Sequence, residues 1–102
     1  MAAFESEIAD LAVEELTQIR AFDRRRIVEA IRNQLTYQPT VTTRNCKQLE
    51  VLAPNFEHTP PIWELRVDDY RLFYDVDEDN QMVYVRAVRQ KLSQQTTEDI
   101  TQ

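Results

Sequence analysis

Apolar and polar positions alternate with period two over residues 2–8, which predicts a short strand with Phe4 and Ile8 on one side. The period then changes. Ala12, Leu16 and Ile19 fall at i, i+4 and i+7, the buried stripe of a helix from Asp10, its N-cap candidate, to about residue 20. Ala21 and Phe22 form a short joint, and Asp23 is the N-cap candidate of a second helix reaching about residue 37 before Pro39 stops it. Ile27, Ile31 and Leu35 line its inner face, and the short joint folds the pair into a helical hairpin. Residues 38–61 carry all four prolines and no clear period, although 47–52 reads as a short extended piece. Beyond Pro61 the period returns to two. Trp63, Leu65 and Val67 share one face of a strand over 62–67, with Glu64 and Arg66 on the other. Asp68 and Asp69 make a two-residue hairpin turn into a second strand over 70–76. A second turn over 77–80 leads to a third strand over 82–88. A polar tail over 92–102 follows, in which 97–101 reads as the start of a short helix. The order is strand, two helices, then a three-stranded antiparallel meander whose apolar face the helical pair covers: a two-layer α+β domain.

Length agrees: 102 residues hold one domain, its core spanning about 4–91. No apolar run reaches the ~18–20 residues that span a bilayer, and the N-terminus lacks a secretory signal pattern. With one cysteine, Cys46, and one histidine, His58, neither a disulfide framework nor a Cys/His metal site is expected. Asp75, Asp77, Glu78 and Asp79 lack the glycine and spacing of a calcium loop. These features point to the cytoplasm, with no metal and no cofactor. Glycine is absent altogether, which excludes glycine-dependent phosphate cradles and assigns the tight turns to Asp, Asn or Pro.

The net charge is −6 and the isoelectric point about 4.7, the opposite of a typical nucleic-acid binder. The distribution is uneven, however. Residues 20–47 carry Arg20, Arg24, Arg25, Arg26, Arg32, Arg44 and Lys47 against only Asp23 and Glu29, and Arg86, Arg89 and Lys91 cluster near the end of the third meander strand. Local basic surfaces can therefore exist on an acidic protein, although its overall field does not steer RNA toward it.

The run WELRVDDYRLFYDV at 63–76 resembles the hairpin of the RelE/ParE superfamily of toxins from type II toxin–antitoxin pairs, W-x-L-R-V-G-D-Y-R-V-x-Y-x-V. VYVRAV at 83–88 is similar to that family's last core strand. FDRRRI at 22–27 is similar to the start of its second helix, and Thr43-Arg44-Asn45 with Lys47 and Leu49 to its loop into the sheet. The resemblance implies a RelE/ParE-like fold and the toxin half of a pair neutralised by a small antitoxin. For RelE-like members it implies ribosome-dependent mRNA cleavage without a metal: the 2′-hydroxyl attacks the adjacent phosphate, leaving a cyclic phosphate and a 5′-hydroxyl. For ParE-like members it implies inhibition of DNA gyrase without cleavage.

By position, the resemblance makes Arg71 the phosphate-binding arginine of the hairpin, with Arg66 and Lys91 as basic neighbours and Glu64 as a candidate proton acceptor. Arg86, Arg89, Arg24 and Arg25 are candidates for contact with RNA. Glu64 stands where many members carry lysine, Asp68 where they carry the turn glycine, and Thr96 and Thr97 about where they carry an aromatic residue or histidine. These departures favour the alternative of a non-catalytic member, either a gyrase inhibitor or an antitoxin-binding protein. Each candidate also has a purely structural reading. Arg71 can pair with Glu64 or Asp75; Arg24, Arg25 and Arg26 with Glu14, Glu15 or Glu29; Arg86 and Arg89 can be solvated strand-end charges; and Trp63, Tyr70, Phe73 and Tyr74 are core rather than stacking residues.

Overall fold

A computed structural model describes residues 3–49 and 54–101. Its elements are β1 (Glu5–Ile8), α1 (Asp10–Thr17), α2 (Ala21–Ala30) continuing into a π-helical turn (Ile31–Leu35), β2 (Cys46–Leu49), β3 (Ile62–Val67), β4 (Tyr70–Asp77), β5 (Met82–Gln90) and α3 (Thr97–Thr101). The strands form one sheet in the order β1-β5-β4-β3-β2, with β1 parallel to β5 and the other pairs antiparallel. The expected meander is present and gains a fourth strand. β2 starts at Cys46, one residue before the expected extended piece, and pairs with β3 up to Leu49; residues 50–52 of that piece lie outside the described residues.

Several boundaries differ from the expectation. β1 begins at Glu5, because the N–H of Phe4 donates to the carbonyl of Thr36 (2.8 Å) instead of joining a strand; residue 2 lies outside the described residues. α1 ends at Thr17, since the N–H groups of Gln18 and Ile19 bond to carbonyls three residues back and tighten the last turn. Neither expected carboxylate is a cap. Ala9 and Arg20 occupy the extended cap positions, and Asp10 and Asp23 lie in the first helical turns, where their charge is still favourable to the helix dipole. The Asp23 carboxylate accepts from Arg20 Nε (2.8 Å) and from the Tyr70 hydroxyl (3.0 Å), and the Arg20 bond holds it below the usual carboxylate range. β4 and β5 run to Asp77 and Gln90, a little beyond the alternation that predicted them. Without glycine, the left-handed turn positions fall to Asp68 (φ 53°) and Gln81 (φ 54°). The first is a residue type that tolerates this region; the second is outside the expected set.

The sheet buries both faces. On one, Ala12, Leu16, Ile27, Ile31 and Leu35 of the helices pack against Trp63, Leu65, Leu72, Tyr74, Val83 and Val85. Trp63 and Tyr74 stack there, ring centres 6.4 Å apart. On the other face Phe56, Ile62, Phe73, Ala87 and Ile100 form a smaller cluster. The C-terminal segment is thus more than a polar tail, because α3 docks Ile100 and Thr101. A bulge between Phe73 and Tyr74 pairs Phe73 with Ala87 and Tyr74 with Val85, leaving Arg86 as the extra residue of β5.

A buried polar chain ties the 38–45 loop to the sheet. Tyr74 donates its hydroxyl to the carbonyl of Pro39 (2.6 Å), so the Cys46 thiol donates to the Tyr74 oxygen (2.8 Å). Burial raises the pKa of both groups, keeping both protonated near neutral pH. Tyr74→Phe strands the Pro39 carbonyl and the thiol, and is expected to cost about 1–3 kcal/mol in urea denaturation.

Candidate nucleic-acid interface

The two-residue turn at Asp68 and Asp69 sets the register of the β3–β4 hairpin. Val67 lies opposite Tyr70, and Arg66 therefore opposite Arg71. On the other side of β4, Arg71 lies opposite Arg89. Three arginines thus form a row across β3, β4 and β5. Arg71 alternates with the helix-facing Leu72, so the row lies on the face away from α1 and α2.

The three differ in what neutralises them. The Arg89 guanidinium is paired with Glu15 of α1, donates to the carbonyl of Ile100 (2.8 Å) and lies 5.4 Å from the ring centre of Phe56. Arg71 is only 7% exposed, and its Nη1 donates to the backbone carbonyls of Asp68 (3.0 Å) and Tyr70 (2.9 Å). Burial first, and then the charge of Arg66, hold its pKa below the ordinary guanidinium value. Arg66 is exposed, and among the described residues neither Arg66 nor Arg71 has a carboxylate within ion-pair distance. The alternative structural reading, a pairing of Arg71 with Glu64 or Asp75, does not form. Asp75 is taken by Arg86 (2.7 Å from Nε), and Glu64 accepts from the Thr97 hydroxyl of α3 (3.0 Å) with Lys47 at 3.9 Å. Glu64 is 6% exposed. Lys91 joins the neighbourhood through its backbone, whose N–H donates to the carbonyl of Asp69 (2.6 Å).

The remaining candidates stand apart from this row. Arg86 is held by Asp75 and by Glu57 (3.8 Å), and lies over the ring of Tyr84. It and Arg89 are fixed ion pairs, not solvated strand-end charges. Arg24 and Arg25 lie on α2, in the helical layer on the opposite side of the sheet. Their neighbour Arg26 pairs with Asp68 (2.7 Å) rather than with Glu14, Glu15 or Glu29. Trp63, Phe73 and Tyr74 are buried, and Tyr70 is half-buried with its hydroxyl on Asp23. Lys47 and Glu15 escaped the sequence reading as site neighbours. Lys47 becomes one only because β2 places it opposite Glu64, and Glu15 only because α1 packs beside β5.

The row can grip an anion: it has two guanidiniums on adjacent strands with no carboxylate within ion-pair distance among the described residues, and Glu64 and Asp69 are the nearby carboxylates that act on Arg71. The family model described as the ParE toxin of type II toxin–antitoxin systems matches residues 7–93. This chain belongs to that family of toxins. Solved structures agree in fold. A chain of the toxin–antitoxin complex RelBE2 from Mycobacterium tuberculosis aligns with TM-score 0.71 at 21% identity, covering 88% of the toxin and 100% of that chain. The archaeal RelE–RelB complex from Pyrococcus horikoshii gives 0.68 at 20% identity, covering 88% and 97%, and the Escherichia coli RelBE complex 0.58 at 19%, covering 90% and 100%. No curated protein matches the toxin's sequence. Among its described residues no helix is long and apolar enough to cross a membrane.

Proposed function

We propose that the toxin arrests growth in the cytoplasm by ribosome-dependent mRNA cleavage, with Arg66 and Arg71 gripping the scissile phosphate, and that a small antitoxin neutralises it. The observation that carries this reading is the uncompensated pair. Like charges directly opposite on neighbouring strands destabilise a sheet. Here they stand together while the surrounding arginines Arg26, Arg86 and Arg89 each have a carboxylate. A phosphate between them replaces repulsion with charge-assisted hydrogen bonds, for which the guanidinium fork is suited. In the cleavage that RelE-like members perform, the pair would stabilise charge developing on the phosphate as the 2′-hydroxyl attacks, with Lys91 adding positive charge. Glu64 is the carboxylate placed to take a proton, once α3 and Thr97 move from it. The antitoxin partner is supported by the structural relatives, which are toxin–antitoxin complexes.

One observation favours the second reading, a toxin that binds without cutting: Glu64 is buried beneath α3 and hydrogen-bonded. DNA gyrase is the target the ParE-like resemblance implies. Induced expression in a bacterial host, with primer extension on a translated message, separates the two. Growth arrest with new cuts in codons at the ribosomal A site is the expected result. Arrest without cuts supports the binding reading and overturns cleavage.

A further inference from the structure

We propose that α3 is an autoinhibitory latch over the candidate site, an inference that rests on the cleavage reading above. On the face away from α1 and α2, the arginine row has a neighbour two residues along each strand: Glu64 lies opposite Phe73, and Phe73 opposite Ala87. α3 sits on this second row. Ile100 packs with Phe73 and Ala87, and the Thr97 hydroxyl donates to Glu64 Oε2 (3.0 Å). The other Glu64 oxygen has Lys47 at 3.9 Å. Covered in this way, Glu64 is 6% exposed, and a 2′-hydroxyl cannot come within hydrogen-bond reach of the carboxylate that is to take its proton. The same helix also reaches the arginine row, because its Ile100 carbonyl accepts from Arg89 Nη1 (2.8 Å).

The segment is built both to dock and to leave. A reciprocal cap marks its start: Thr96 Oγ1 accepts the N–H of Asp99 (3.2 Å), and Asp99 Oδ2 accepts the N–H of Thr96 (3.0 Å). Five residues are nevertheless too few to hold a helix alone, so α3 persists only while docked. Docking buries Ile100 and Thr101, and residues 92–94 before it form an exposed tether. A terminal segment with so little buried surface opens locally, well below the cost of global unfolding. Opening uncovers Glu64 and returns an Arg89 donor to the row. A phosphate on the row competes with the Ile100 carbonyl for that donor, so the substrate itself favours the open state. The burial of Glu64 is then the closed state of a toxin that cuts.

The test uses the full-length toxin and two substitutions in α3. Thr97→Val removes the bond to Glu64 with a side chain of nearly the same shape, and Ile100→Asp removes the apolar anchor. Thermal melts show which variants fold, and either one suffices. Thr97→Val is expected to raise the open population about tenfold, the worth of one hydrogen bond to a charged group, and Ile100→Asp at least as much. Carboxyl labelling with a carbodiimide and an amine, read at Glu64 by mass spectrometry, should rise by that factor. The initial rate of ribosome-dependent cutting should rise with it. Glu64 labelled as readily in the parent as in the variants overturns the latch, and so does unfolding of both variants. More labelling with equal or slower cutting overturns the latch and leaves the cleavage reading standing. No cuts from the parent or from either variant refutes the cleavage reading, and the latch falls with it.

Discussion

Arg71→Ala is expected to abolish growth arrest while leaving a folded protein. The side chain makes two hydrogen bonds to backbone carbonyls of the hairpin turn and none to a carboxylate. Losing them costs about 0.5–1.5 kcal/mol each, and removing its repulsion with Arg66 returns part of that. The net effect is about 1–2 kcal/mol, or roughly 10 °C in melting temperature for a domain this size. The functional loss is larger, because a phosphate held by the pair loses a bidentate, charge-assisted partner. Arg71→Lys keeps the charge and loses the fork, so it should retain part of the toxicity. Growth curves with the variants, beside thermal melts of purified protein, decide the point. Undiminished toxicity of Arg71→Ala at equal expression removes Arg71 from the site. Full unfolding of both variants makes it a structural residue.

The largest expected stability effect lies elsewhere, at Glu15. Its carboxylate does two things at once on the part of β5 beyond its pairing with β1. One oxygen accepts the N–H of Val88 (2.9 Å), and the other is paired with Arg89. β1 ends its pairing at Val85, so without Glu15 this stretch of the strand edge has an unmet donor and an unpaired guanidinium packed against Phe56. Glu15→Ala is expected to destabilise the fold by about 2–3 kcal/mol, discounted for a pair about one-fifth exposed. That corresponds to a melting temperature lower by roughly 10–20 °C. Glu15→Gln keeps an acceptor for Val88 and should recover about half of the loss. A melt of Glu15→Ala within two or three degrees of the parent would contradict the bracing role.

The sheet was legible where its period was clean. Residues 62–67 alternate without interruption, and a two-residue turn after Val67 dictates that Arg66 faces Arg71, so the central pair of the site follows from the sequence. β2 was legible only in part: residues 47–52 read as an extended piece, but four residues in a proline-rich stretch carry too little alternation to fix the start at Cys46 or the pairing with β3. The helix starts were misplaced for a chemical reason: Asp10 and Asp23 look like caps, but Asp23 is claimed by Arg20 and Tyr70, a choice only the packed hairpin reveals. The partners of Arg86 and Arg89 were beyond reach for the same reason. Glu15 and Arg89 are 74 residues apart, and nothing local in the chain marks either as the other's counter-ion. What distinguishes the candidate site is position: Arg66 and Arg71 stand directly opposite each other on neighbouring strands with no carboxylate within ion-pair distance among the described residues.

The most direct test of that account is cell-free. Purified toxin is added to translating ribosomes with a defined message, and cuts are mapped by primer extension, with DNA gyrase supercoiling measured in parallel. The account predicts cuts in A-site codons that require the ribosome, end in a cyclic phosphate and vanish with Arg71→Ala, while supercoiling is untouched. Intact message together with inhibited gyrase would contradict it.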